Sequence, residues 1–427
     1  MSDRLAKAIS VLSGALIFGI AMAVIGFSVG SAKLWPYQQI VEGARIVRAL
    51  LTQGSVPGEG RQHPAPPGTS RSFAAILDPD AAIGSGYYAL YAWDSDRSAY
   101  SVFLHDATGT RLHTWPVDEM QLTDKARDHE NAPHAFSVLR DGSVVVSFDY
   151  LGVMARLGPC GQTIWSREGF FHHSFNATDD GGIWTWYSGD ITAFGQHQTM
   201  LEFDAETGAD RRSLDLVDVI NRTPASAILF STRQNAALQD DRPLEDGYDF
   251  AYDIFHPNDV EELSAALAPA FPMFAAGDLL LSIRELDLVL VISPEGDIKW
   301  SARGPWLRQH DPDFEPDGTI AVYDNRLYRP SSTILSIDPG TGEVRDLLAD
   351  YVGPFNSDAR GKHQLLPNGN RLVVSAEQGW VFEVTPDGRV VAEFNNVVPS
   401  DPSLNDDITN AIWLPEDYFD TVPSCSG

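Results

Sequence analysis

From Phe73 onward, apolar and polar residues alternate with a period of two in short runs that turn residues cut apart. Alternation of this kind marks strands whose successive side chains face opposite ways. Two phrases recur. A turn followed by an alternating strand appears as LRDGSVVVSFD, TDDGGIWTWYS, AAGDLLLSIRE, EPDGTIAVYDN and LPNGNRLVVSAE. An apolar strand, a glycine turn and a second strand appear as FLHDATGTRLHTW, ARLGPCGQTIWS, LVISPEGDIKWS, LSIDPGTGEVRDLL and FEVTPDGRVVAEF. The turn-first phrase leads, with glycines at Gly142, Gly182, Gly277, Gly318 and Gly369. Most intervals between them are about 40 to 50 residues, a propeller period. One is about double, which predicts a degenerate blade between Tyr187 and Tyr252. The pattern therefore predicts an all-β fold of four-stranded blades around a central channel. With the blade that opens at GYYALYAWDSDRSAYSVFLHD, the count is six or seven. VEELSAALAPAF reads as a helical insertion, Ser213 to Asp249 as a loop-rich excursion, and SDPSLNDDITNAIWLPEDYFD as a blade closure or a tail.

The N-terminal pattern is different. Ile9 to Val29 carries no charge, and a run of that length spans the hydrocarbon core as a helix. Arg4 and Lys7 precede it, and positive flanks stay in the cytoplasm, which puts the rest of the chain outside. A cleaved signal peptide is the rival reading; the length of the run favours an uncleaved anchor. Apolar residues at Ile40, Ala44, Ile46, Val47, Leu50 and Leu51 then come close to helical spacing, and GSVPGEGRQHPAPPGTS has the composition of a linker. Three regions result: a membrane anchor over 1–32, a helix and Pro/Gly-rich linker over 33–72, and the propeller over 73–427.

A net charge of −29 argues against nucleic acid and anionic membrane surfaces as partners. Against so acidic a background, any anionic substrate needs local cations, so buried Arg and His residues become informative. The two cysteines, Cys160 and Cys425, are a pair or two free thiols; spacing does not decide.

His134, His173 and His310 each precede a turn glycine by eight or nine residues. Equal phase in a repeat means an equivalent place in each blade, at the mouth of the channel. His256 falls into the same phase once the insertion after it is discounted, whereas His363 is slightly out of phase. Such histidines serve catalysis or simply hydrogen-bond between blades. A catalytic metal is not expected, because no HExxH pair occurs and the adjacent His172 and His173 should face opposite sides of a strand. Arg284 interrupts the aliphatic run DLLLSIRELDLVLVI. A cation there needs a partner, either an anionic ligand or a carboxylate such as Glu285.

The stretch from Asp253 to Asp311 holds His256-Pro-Asn258, Ser282-Ile-Arg284 and His310-Asp311 before a turn, in that order. In these motifs the chain, over roughly Gly86 to Asn395, resembles the periplasmic bacterial arylsulfotransferases, which move a sulfuryl group between phenols through a histidine without a nucleotide donor. The resemblance implies six blades, no cofactor and an extracytoplasmic location. It implies His310 as nucleophile, His173 or His256 as acid and base, and Arg284 with Asn258 on the sulfuryl oxygens. Asp311 would orient the His310 ring or shape its loop. The partners would be an aryl sulfate donor and a phenolic acceptor. Two departures stand out: His172-His173-Ser174 replaces a common His-His-Asp, and no β-sandwich domain precedes the first blade. That domain helps assemble dimers, so a homodimer stays open. Trp184, Trp186, Tyr187, Trp306 and Trp380 are either pocket walls or blade packing. Two rival functions remain: a tethered propeller that only binds, and a hydrolase that sends the sulfuryl group to water.

Overall fold

The computed structural model describes residues 61–123, 133–149, 151–188, 198–230, 255–326, 331–353, 355–357 and 359–425. The anchor expected over 1–32 and the helix after it lie outside these residues. Among the described residues no helix is long and apolar enough to cross a membrane.

Six sheets of antiparallel strands form the blades. Blade two comprises Phe136–Val138, Val144–Phe148, Val153–Leu157 and Thr163–Glu168. Blade three comprises Phe170–Ala177, Gly182–Ser188, Thr199–Asp204 and Asp210–Asp215. Pro257–Glu262 opens blade four, His310–Phe314 blade five and Lys362–Leu365 blade six. In each case the first strand lies innermost, against the first strands of its neighbours. Blade one is closed by the end of the chain: Ile408–Leu414 pairs with Tyr87–Asp94 as its inner strand. The closing segment then crosses to blade two, where Tyr418 Oη donates to the Val138 carbonyl at 2.5 Å and Cys425 is bonded to Cys160. Two early strands also join the ring: Gln62–Pro64 pairs with Leu404–Asp406, and Ala74–Ile76 adds a fifth strand to blade six.

The alternation explains where the core sits. Tyr88, Leu90 and Ala92 pack against blade six, whereas Ala89 and Tyr91 pack against blade two. Leu279, Leu281 and Ile283 face blade three, and Leu280 faces blade five. Every interface between adjacent blades has its own apolar cluster. A middle strand is thus buried on both faces, which is why Leu279–Ile283 and Leu288–Ile292 carry aliphatic residues on both sides. Each buried Leu or Val contributes about 1.5–3 kcal/mol. Trp186, Trp306 and Trp380 are fully buried in these interfaces.

Two sequence expectations are corrected. No degenerate blade occurs among the described residues after Tyr187: the outer strands of blade three and two short helices, Leu216–Asn221 and Pro224–Leu229, follow instead. Those helices and the segment 231–254, outside the described residues, lengthen the interval. Nor does VEELSAALAPAF form a helix. Val260 to Glu262 continue the inner strand because Val260 is buried in the blade three–four core, and only Ala268–Ala270 makes a short 3₁₀ turn. The turn glycines have a simpler basis. Gly142, Gly277, Gly318 and Gly369 stand at φ between 82° and 92°, a region closed to most side chains; in blade three this role falls to Gly181, not Gly182.

Candidate active site

The inner strands of blades three, four and five share a local irregularity at the channel mouth. Strand register shifts between His172 and Asn176, between Pro257 and Asp259, and between His310 and Asp313. At or immediately before each shift a residue other than glycine adopts left-handed backbone: His173 (φ 68°), His256 (φ 44°) and Asp311 (φ 46°). Such conformations cost about 1–3 kcal/mol each, and they collect at functional sites. Here they turn imidazoles out of the strand pleat. His172 and His173, expected on opposite faces, therefore meet, with their Nδ1 atoms 2.7 Å apart.

The histidines converge. His134, His173, Asn258 and His310 line one small pocket together with Asp311, Arg360 and Lys362. His256 joins through its Nε2, 3.0 Å from His173 Nε2. The His134 ring stacks on His173 with centroids 5.0 Å apart and its Nδ1 bonded to Asp149. His172 Nε2 is 2.8 Å from Gln198 Oε1. The Arg284 amide donates to the His256 carbonyl at 3.2 Å, and its guanidinium lies against Glu285 Oε1 at 2.8 Å, a carboxylate also held by Arg308. Arg284 thus has the carboxylate partner that sequence reasoning offered as one alternative, and still acts on the site as a charge. His363 lies one level down the channel, beside Asp313 and Arg371.

The tautomer of His310 follows from its neighbours. Asn325 Nδ2 donates to the carbonyls of Ser357 and Arg360, both at 2.8 Å. Its Oδ1 must therefore face His310 Nδ1, 2.7 Å away, and an amide oxygen only accepts. Hence Nδ1 carries the proton and Nε2 the lone pair. That Nε2 is buried and has no hydrogen-bond partner among the described residues. Asn258 fixes the preceding residue, its Nδ2 donating to the Gln309 carbonyl at 2.8 Å, and Gln309 Nε2 reaches Ser282 Oγ at 3.1 Å. Asp311 does not touch the His310 ring; it accepts from the His363 amide at 2.6 Å and pairs with Lys362.

Burial sets the protonation states. It holds His310 well below the ordinary imidazole range, with the Arg284 charge adding to the effect. His256 is lowered likewise by burial and then Arg284, and His173 by burial and then His256. His172 is lowered to about 4 by burial, against the pull of Asp149. The imidazoles are accordingly neutral near pH 7, the form that attacks or accepts a proton. Lower in the channel, a cavity of about 340 Å³ is lined by Glu261, Asp313, Glu315 and His363. Burial and then Asp311 push Asp313 up; Asp311 itself is raised to about 6 by burial, against Lys362. Two groups approach metal-ligand spacing among the described residues: His134, Asp149 and His173, and Asp311, Asp313 and His363.

Asn325, Arg360, Lys362, His172, Gln198 and Asp149 were not foreseen in the site. Only the His172-His173 doublet carried a sequence signal. The five aromatics offered as pocket walls do not line the histidine pocket.

Among solved structures, a protein of unknown function from Bacteroides caccae is 12% identical over 73% of this chain and 94% of its own, with a TM-score of 0.47. TolB from Acinetobacter baumannii is 14% identical over 77% and 66%, with a TM-score of 0.45. Virginiamycin B lyase from Staphylococcus aureus is 13% identical over 64% and 72%, with a TM-score of 0.36. Similarities of this depth carry nothing about chemistry. No curated protein matches the chain. Residues 135–397, more than half of the chain and all of blades three to five with their converging histidines, match the arylsulfotransferase (ASST) family, and the protein belongs to that family.

Proposed function

We propose that this protein transfers a sulfuryl group from an aryl sulfate to a phenol through His310 Nε2. One observation carries the reading: a buried imidazole whose Nδ1 proton is fixed by Asn325 and whose Nε2 lone pair has no partner among the described residues. A neutral imidazole so oriented needs no activation before it attacks.

In the first half-reaction the Nε2 lone pair attacks sulfur, an N–S bond forms, and the S–O bond to the aryl group breaks, with its electron pair leaving on the phenolate. Nδ1 keeps its proton, and Asn325 Oδ1 stabilises the positive charge that the ring acquires. Phenols ionise near pH 10, so the phenolate is a serviceable leaving group. In the second half-reaction the acceptor oxygen attacks sulfur and the N–S electron pair returns to His310. Arg284, Arg360 and Lys362 supply positive charge beside the sulfuryl oxygens where charge builds in the transition state. His173 and His256 handle the phenolic proton. The charge-free run 9–29 would tether the propeller outside the cytoplasm, a location that the Cys160–Cys425 bond favours.

Mixing the protein with an aryl sulfate, with and without a second phenol, tests the reading. Acceptor-dependent release of the donor phenol, with the acceptor recovered as its sulfate, is the expected result. Release that ignores the acceptor means hydrolysis, and no release from a panel of donors leaves only a binding module.

A further inference from the structure

The throat below the histidines holds side chains that the transfer does not use. Its cavity is lined by Glu261, Asp311, Asp313 and Glu315. The cations beside them are Lys362, paired with Asp311, and Arg371, paired with Glu315. Four carboxylates thus stand against two cations, among the described residues. Asp313 faces the other three carboxylates, and each opposes a negative charge on it.

One contact within this group lacks a hydrogen. His363 Nδ1 lies 3.1 Å from Arg371 Nη1 and 3.2 Å from Asp313 Oδ2. A guanidinium only donates, so Nδ1 presents its lone pair and the ring proton sits on Nε2. An ionised Asp313 oxygen then meets a lone pair with no hydrogen between them. A proton on Asp313 relieves the contact; so does a cation held by both atoms, and the spacing is that of two ligands on one ion. Donors about 2.1 Å from a first-row dication, at octahedral or tetrahedral angles, stand about 3.0–3.4 Å apart. Asp311 supplies a third donor: one ligand atom from each of Asp311, Asp313 and His363 lies within 4.8 Å of the others.

Two further atoms call for a guest. Asn410 and His363, 5% and 6% exposed, both line the cavity. Asn410 Oδ1 and His363 Nε2 are buried and have no hydrogen-bond partner among the described residues, a costly omission for polar groups. Water molecules that complete an ion's shell can accept from Nε2 and donate to Oδ1. The Asp313 side chain is 29% exposed, which gives an ion access.

We propose that Asp311, Asp313 and His363 bind a first-row transition dication such as Mn²⁺ or Zn²⁺, which clamps blade five to blade six at the axis. An imidazole nitrogen beside two carboxylates suits these ions, whereas Ca²⁺ and Mg²⁺ take oxygen ligands. The ion offsets the surplus negative charge, and Arg371 keeps Glu315 as its partner when it releases His363. The site lies below the sulfuryl-transfer pocket and stands independently of what happens there.

Electron paramagnetic resonance of the full-length protein, stripped with chelator and titrated with Mn²⁺ near pH 7.5, tests the site without turnover. One Mn²⁺ per chain, with spin-echo modulation from a directly bound imidazole nitrogen, is the expected result. That modulation should vanish in His363→Gln, and Asp313→Asn should weaken binding about a hundredfold or more. Zn²⁺ at equal concentration should displace the Mn²⁺, whereas about a tenfold excess of Ca²⁺ should not. Mn²⁺ should also raise the thermal melt of the wild type and of neither variant. No binding at millimolar Mn²⁺, binding without nitrogen modulation, or binding unchanged in Asp313→Asn overturns the proposal. If the variants do not fold, the wild-type spectrum decides alone. Mn²⁺ bound as expected in a protein inert toward all aryl sulfates would keep this site and reject only the transferase reading.

Discussion

The two levels of the central channel both desolvate titratable groups, and to opposite effect. At the mouth, burial strips the proton from imidazoles and leaves His310, His256 and His173 neutral beside Arg284, Arg360 and Lys362. In the throat, burial forces protons onto carboxylates, with Glu261 and Asp313 both raised well above their ordinary range. Asp311 and Lys362 line both pockets and mark the boundary. Low dielectric favours the neutral form in each place. What differs is the use of that form: a neutral imidazole is a nucleophile or base, whereas a neutral carboxylic acid is neither. The fixed charges differ too, so an anion is drawn to the mouth and repelled by any ionised carboxylate below it.

Substitutions can break this contrast at either level. The largest effect is expected from His310→Asn, which should lower acceptor-dependent phenol release by about a thousandfold or more while leaving the thermal melt near wild type. Arg284→Ala should cost about a hundredfold in kcat/KM for the donor by removing charge where it develops, and Arg284→Lys should recover only part of it; steady-state kinetics with one aryl sulfate suffice. Asn325→Leu releases the His310 tautomer and leaves its N–H unpaired, for a loss of about tenfold to a hundredfold in kcat. Asn325→Asp should act in another way, raising the His310 pKa and moving the acid limb of the rate profile to higher pH.

The smallest effect sharpens the comparison from the throat. A carboxyl whose folded pKa lies above its unfolded value binds more protons in the native state, so stability falls as pH rises from the ordinary carboxylate range toward the folded pKa. A buried imidazole with a depressed pKa has the reverse sign, and stability falls as pH drops below about 6.5. Asp313→Asn removes only the first contribution. It should raise the melting temperature at pH 8 by roughly 2–4 °C per kcal/mol relieved, lose that advantage near pH 4, and leave sulfuryl transfer unchanged. A melting temperature equal to wild type at both pH values would show that the throat carboxylates carry no burial penalty.

Much of this was legible in the chain because a propeller writes its repeat locally. Turn glycines at a steady interval and strands of period two disclosed the blades, and equal phase before those glycines placed His134, His173 and His310 at one mouth. What failed did so for reasons a period cannot encode. The interval after Gly182 looked like a lost blade because a pair of helices and a further segment were inserted between two complete ones. His172 and His173 looked divergent because alternation assumes a regular pleat, and a left-handed residue breaks it. Asn325 gave no signal at all: it follows the strand Ile320–Asp324 next to His310, where an asparagine reads as an ordinary turn residue, and only pairing to the Ser357 and Arg360 carbonyls fixes its amide.

The central claim is that His310 Nε2 carries the sulfuryl group between donor and acceptor. Exposing the protein to excess aryl sulfate without acceptor, quenching under alkaline conditions, and mapping peptides by mass spectrometry tests it directly. A single added sulfuryl group on the peptide containing His310, absent from His310→Asn and discharged when a phenol is added, is the predicted result. An unmodified His310 in protein that has released donor phenol, or a sulfuryl group on another residue, would contradict the account.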